Sequence, residues 1–186
     1  MRFQLCSLAT LVAAVTASPI LDARQASVCT PPATTATVIA GTAKTLTGPF
    51  KIQASVPGSK LNGNYATTDS LANVIFKKQK NPTPLEFYID QSDNHLIVIN
   101  GATETDAYNY LYLGKTPHVA LRAVPPSGSQ YLTCSIDASD CSLDCTYGDG
   151  SATTNCLSSP AHDPQWAIEE RIVGKCIAFT PVVVAG

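Results

Sequence analysis

The chain has 186 residues, 14% of them charged, and a formal net charge of −2. Its basic residues cluster only at Lys77, Lys78 and Lys80. That suits a solvated, aggregation-resistant strand end and falls short of the wide basic stripe of a nucleic-acid groove, so no nucleic-acid partner is expected.

The first residues read as a secretory signal over 1–17. Arg2 supplies the positive start and residues 5–15 a short apolar stretch. Val15, Thr16 and Ala17 offer small residues for cleavage. The stretch is shorter than the ~20 apolar residues of a spanning helix. The last residues, 181–186, are too few for the hydrophobic end of a lipid-anchor signal, so no membrane anchor is expected. A monobasic run ends at Arg24. It reads either as the end of a pro-segment or as part of a flexible N-terminus, and both stay open. Residues 18–44 form a Thr/Pro-rich lead-in, flexible in composition. No Asn-x-Ser/Thr acceptor exists, because Asn81 is followed by proline. Any glycan is O-linked, with residues 30–37 as the best place.

Residues 45–186 suit one β-rich domain. Phe50 to Ala54 alternate as a strand. Residues 70–78 read as a helical turn or, through Val74-Ile75-Phe76, as a strand. Phe87 to Asp90, a polar turn over 91–94, and Leu96 to Ile99 read as a hairpin. Tyr110 to Leu113 and His118 to Leu121 are further strand candidates. Asp163-Pro164 could start a short helix closed by Gly174, although Trp166 and Ile168 alternate as in a strand. Residues 175–184 read as a last strand, in which Pro181 favours an edge or a bulge.

A faint repeat runs through this order. Phe50-x-Ile52-x-x-Ser55 matches Phe87-x-Ile89-x-x-Ser92, and Cys134-x-Ile136-x-x-Ser139 matches both. Asp90, Asp93, Leu96 and Gly101 recur as Asp137, Asp140, Leu143 and Gly148 at one constant offset. Both segments can form the same hairpin. The fold class expected is all-β: a compact antiparallel barrel or sandwich, β-trefoil-like or Greek key, stabilised by disulfides.

Of seven cysteines, Cys6 lies in the signal. Cys29, Cys134, Cys141, Cys145, Cys156 and Cys176 remain, an even number that favours disulfides in an oxidising compartment. If Ile136 pairs near Leu143, then Cys134 faces Cys145 across the hairpin. Pairing Cys29 with Cys176 would staple the start of the chain to its last strand. Sequence alone does not choose among the pairings.

Candidate chemistry is sparse. His162-Asp163 is the most enzyme-like pair, but no Gly-x-Ser-x-Gly elbow accompanies it. The alternative is a surface loop with a capping Asp. His95, His118 and His162 are too scattered for a zinc enzyme, and the first two suit exposed strand faces. Asp137, Asp140, Asp144 and Asp149 fit no calcium loop and suit turn-forming roles. Glu169 and Glu170 are adjacent and would point to opposite faces of a strand, which separates them as an acid–base pair. No catalytic residue, metal or cofactor is therefore expected. Tyr108, Tyr110 and Tyr112 alternate, so a strand would put them on one face. They are the candidate ligand-binding residues, stacking on sugar rings or on a partner. The alternative is an aromatic ladder packed on the flank of the domain.

The Ala-Arg-Gln junction at 23–25, the Gly48-Pro49-Phe50-x-Ile52 opening and the close from Trp166-Ala167-Ile168 to Lys175-Cys176-Ile177-Ala178-Phe179 resemble small secreted fungal proteins. The close is similar to the ending of phialide-type fungal cell-wall proteins. Cys134, Cys141 and Cys145 depart from that family. The resemblance implies a β-rich, wall-associated or released protein with no catalytic residue to carry over. The function expected is non-catalytic binding of a cell-wall glycan or an extracellular protein. A lectin-like or protease-inhibiting β-trefoil and a hydrolase using His162 and Asp163 are the alternatives.

Overall fold

The computed structural model describes residues 29–78, 84–100, 103–110, 118–121, 129–147, 154–158, 163–169 and 176–185. The first strands are β1 (Thr34–Ile39), β2 (Thr42–Ser55), β3 (Tyr65–Thr68), β4 (Val74–Lys77), β5 (Phe87–Asp90), β6 (Leu96–Asn100) and β7 (Thr103–Tyr110). They are followed by β8 (His118–Leu121), β9 (Gln130–Ile136), β10 (Leu143–Tyr147), β11 (Thr154–Ser158), β12 (Gln165–Glu169), β13 (Ile177–Ala178) and β14 (Thr180–Ala185). No helix occurs among the described residues. All strand pairings are antiparallel. The main path runs β10-β9-β7-β6-β5-β2-β3-β4-β12-β11-β13, with β1 and β14 on β2 and β8 on β7. The expected all-β class holds, as a sandwich-like arrangement and not a closed barrel.

Among the described residues paired structure starts at β1, inside the stretch expected to be a flexible lead-in. Thr34 and Thr35 are exposed there, yet β1 pairs with β2 along its whole length. Three threonines, a valine and an isoleucine suit an extended edge strand that buries only its last residue, Ile39. Residues 70–78 resolve to β4, a strand. Asp163-Pro164 precedes β12, so it caps no helix. Trp166, Ala167 and Ile168 are all buried, as expected of a strand covered on both faces. The expected last strand is divided at Phe179 into β13 and β14. Pro181 sits opposite Ala54 in β14, which pairs with β2 and is bridged at Val182 to Ser142.

One side-chain face of the sheet builds the main core from Phe50, Ile52, Phe76, Phe87, Leu132 and Trp166, with others. The opposite face of β2 and β6 holds a smaller cluster of Ile39, Leu46 and Ile97. Leu46 and Phe50 are an even number of residues apart, so a regular strand would put both on one face. A register shift between Thr47 and Phe50 turns them to opposite clusters. Gly48 lies inside that shift at φ +144°, and a Cβ there would come within 2.8 Å of the Phe87 carbonyl oxygen. Glycine meets both requirements, being free of the positive-φ restriction and of the side chain.

The repeat seen in the sequence is a repeated hairpin. In the β5–β6 turn the Ser92 N–H and hydroxyl both donate to Asp90 Oδ1, at 2.9 and 2.7 Å. His95 N–H donates to Asp93 Oδ1 at 3.0 Å, and Asn94 takes φ 60°. In the β9–β10 turn Ser139 donates twice to Asp137 Oδ1, at 2.7 and 2.6 Å. Ser142 N–H donates to Asp140 Oδ1 at 2.8 Å, and Cys141 takes φ 60°. The backbone carbonyl of each left-handed residue is also used alike. That of Asn94 accepts from Cys134 N–H and that of Cys141 from Val183 N–H, both at 2.8 Å. Each turn is thereby sewn to a later strand.

Ile136 pairs with Leu143, and Cys134 lies opposite Cys145. Their disulfide joins Cα atoms 4.2 Å apart, the close spacing of a non-hydrogen-bonded cross-strand pair. The expected Cys29–Cys176 bridge is corrected. Cys29 joins Cys141, and Cys176 joins Cys156. Cys176 precedes β13, which lies on β11 beside Cys156. It is β14, beyond Cys176, that returns to β2. Cys29 instead reaches the β9–β10 turn. Three disulfides fit an oxidising, extracellular setting.

Candidate functional site

The β5–β6 turn carries His95 to the side of β9, where it forms an isolated bridge with Thr133. The His95 ring stacks on Tyr131, with centroids 4.6 Å apart and planes 25° apart. Its Nδ1 lies 3.2 Å from Asp93 Oδ2. Along β9, Leu132 and Cys134 are buried, whereas Tyr131, Thr133 and Ser135 are exposed. Tyr131 keeps 39% of its surface accessible although it is stacked. An aromatic pair is thus held open on the outer side of β9.

Of the sequence candidates, Tyr108 and Tyr110 lie on β7. Tyr108 is opposite Tyr131 in the β7–β9 register and Ala120 in the β7–β8 register, and Tyr110 is opposite His118. Tyr112 lies outside the described residues. The β7–β9 register brings β7 alongside the strand that carries Tyr131. Sequence reasoning singled out β7 and missed Tyr131. The available signal was the alternation of Tyr131, Leu132, Thr133 and Cys134 leading into the repeat.

His95 and His118 are half-buried, not on fully exposed strand faces as expected. Stacking on Tyr131 covers His95. Burial pushes His118 below the usual imidazole range, against the raising charge of Asp69. Asp163 pairs with Lys77 at 3.2 Å, while His162, Lys80, Asp149 and Glu170 lie outside the described residues. Asp137 and Asp140 shape their turn, as expected. Among the described residues no three His, Cys, Asp or Glu side chains are grouped as a metal site requires.

The turn that presents His95 is anchored by charge. Asp90, 2% exposed, accepts from Lys44 Nζ at 2.7 Å, and Lys44 also reaches Glu104 Oε1 at 2.6 Å. Burial disfavours the Asp90 carboxylate, but the Lys44 hydrogen bond and then those from Ser92 outweigh it and hold its pKa below the usual range. Asp69 is likewise lowered, by Asn73, Leu71 and Gln165, against its own burial. Carboxylates lowered in the folded state stabilise it fully above their unfolded pKa of ~4 and lose that contribution as pH falls further. Lys44→Met leaves Asp90 buried with its Ser92 hydrogen bonds but without a cation and is expected to cost about 2 kcal/mol at neutral pH. Thermal melts should show this loss, together with a smaller further drop below pH ~4 than the parent shows. Equal melting temperatures at neutral pH would show that the pair contributes nothing.

No protein-family model, no curated protein and no solved structure matches this chain.

Proposed function

We propose that the chain is a non-catalytic extracellular protein, released or held in a fungal cell wall, that binds wall polysaccharide through the outer face of β7 and β9. The observation that carries this is Tyr131, exposed at 39% while stacked on His95. A solvent-exposed aromatic ring offers an apolar face to the C–H side of a sugar, and its hydroxyl serves the polar edge. Three disulfides support an extracellular setting, and the resemblance of the close of the chain to the ending of phialide-type fungal cell-wall proteins supports the wall.

The oxidised protein should be retained on insoluble chitin, β-glucan or whole fungal wall, and released by the soluble oligomer of the polymer that holds it. Tyr131→Ala should weaken retention about tenfold, the loss of roughly 1.4 kcal/mol of ring contact, while the variant still folds with a melting temperature lowered by only a few degrees, about 1 kcal/mol of lost stacking on His95. Tyr131→Phe should keep most of the binding. Failure of the parent protein to bind any of the three materials, or equal retention of Tyr131→Ala, would remove the basis for the proposal.

A further inference from the structure

A groove of about 300 Å³ opens beside the aromatic pair, between Pro31-Pro32 on one side and the β5–β6 turn and β9 on the other. Ser135 and Ile136 of β9 line it, with Gln91 and Asn94 of the turn. Among the described residues no charged side chain lines it. Its polar groups are neutral; the Thr34 and Thr47 hydroxyls bond each other at 2.7 Å, and the polar groups of Gln91, Asn94 and Ser135 remain. Gln91 donates its Nε2–H to Thr47 Oγ1 at 2.9 Å, which leaves its amide oxygen for a ligand. Asn94 and Ser135 are exposed, and neither side chain is bonded elsewhere among the described residues.

The proline wall is fixed at both ends. Cys29, just before it, is tied to Cys141, and the Ala33 carbonyl just after it accepts from Gly48 N–H at 3.1 Å. The groove therefore exists before a ligand arrives, which reduces the ordering cost of binding. It is also continuous with the aromatic pair. Ser135, Thr133 and Tyr131 follow one another on the exposed side of β9, a run of ~13 Å at strand rise. Asn94 immediately precedes His95, and its carbonyl is bonded to Cys134 N–H. The two parts cannot separate without breaking that ladder.

Carboxamides, a hydroxyl and apolar proline and isoleucine surfaces, with no charge, match the hydroxyl edges and C–H faces of an uncharged sugar. We propose that the groove is a second subsite of the same glycan, so that the protein binds the interior of a neutral oligosaccharide chain laid along β9 and not a terminal sugar. This rests on the polysaccharide-binding proposal above.

Calorimetric titration with soluble chitin and β-glucan oligomers of increasing length tests it. Affinity for one series should climb with length and be the same at low and high salt, since no charged contact is made. Asn94→Gly with Ser135→Ala removes two polar groups without touching the core, and glycine accepts the φ of 60° at position 94. That double variant should lose about tenfold on the long oligomer and nothing on the shortest. Tyr131→Ala should weaken both. Length-independent affinity, strong salt dependence, or parent-like binding of the long oligomer by the double variant would overturn the groove assignment while a Tyr131→Ala defect left the aromatic site standing. No binding of any oligomer by the parent protein would overturn both.

Discussion

Trp166→Ala is expected to lower stability by about 4 kcal/mol, the largest loss from any single residue in the core. The ring is fully buried and meets Phe76 and Phe179 edge-to-face, each with centroids 6.1 Å away. Phe76 and Phe179 meet each other at 5.0 Å, so removing the indole strips both of a packing partner. Its Nε1–H donates to Asn155 Oδ1 at 2.9 Å, tying β12 to β11. Trp166→Phe keeps part of the packing but leaves that oxygen without its donor, and should cost about half as much. Urea unfolding followed by circular dichroism is the appropriate measurement, because Trp166 is the sole tryptophan and its fluorescence disappears with it. A midpoint shift with an unchanged slope is expected. A loss below about 1 kcal/mol would mean that the cluster is not packed as described.

Cys29→Ser with Cys141→Ser is expected to cost about 4 kcal/mol, or roughly 10 °C in melting temperature. The bridge spans 112 residues, so most of its effect falls on the unfolded chain, whose freedom it restricts. The core residues are untouched, and the variant should still fold, with β1 still paired along β2 and the proline wall of the groove released at one end. Peptide mapping without reduction should recover Cys29 with Cys141, Cys134 with Cys145, and Cys156 with Cys176. A peptide joining Cys29 to Cys176, or a double variant as stable as the parent, would contradict the assignment.

Local pattern was enough to read the two related hairpins. Asp, Ser and Asp at fixed offsets in the 90s and again in the 130s and 140s specify the same side-chain-to-backbone bonds, and the Cys134–Cys145 pairing follows from the register they impose. The partner of Cys29 was not readable in the same way. It depends on where β1 lays the start of the chain over β5 and β9, a long-range outcome of the whole sheet. The turn of Leu46 and Phe50 to opposite clusters was hidden too, because a shifted register at Gly48 breaks the alternation on which sequence reading depends. The candidate site was half visible. The tyrosine alternation drew attention to β7, while the exposed Tyr131 belongs to β9 and comes beside β7 only through pairing.

Ring resonances of Tyr131 and His95 offer the most direct test that this is a glycan-binding surface. Selective aromatic labelling, with nuclear magnetic resonance titration by the soluble oligomer of the polymer that retains the protein, would follow both rings at once. Saturable shifts at Tyr131 and His95, with Trp166 unmoved in the core, are the result expected. Saturable binding that leaves both surface rings unchanged, or no shift anywhere with any chitin or β-glucan oligomer, would contradict it.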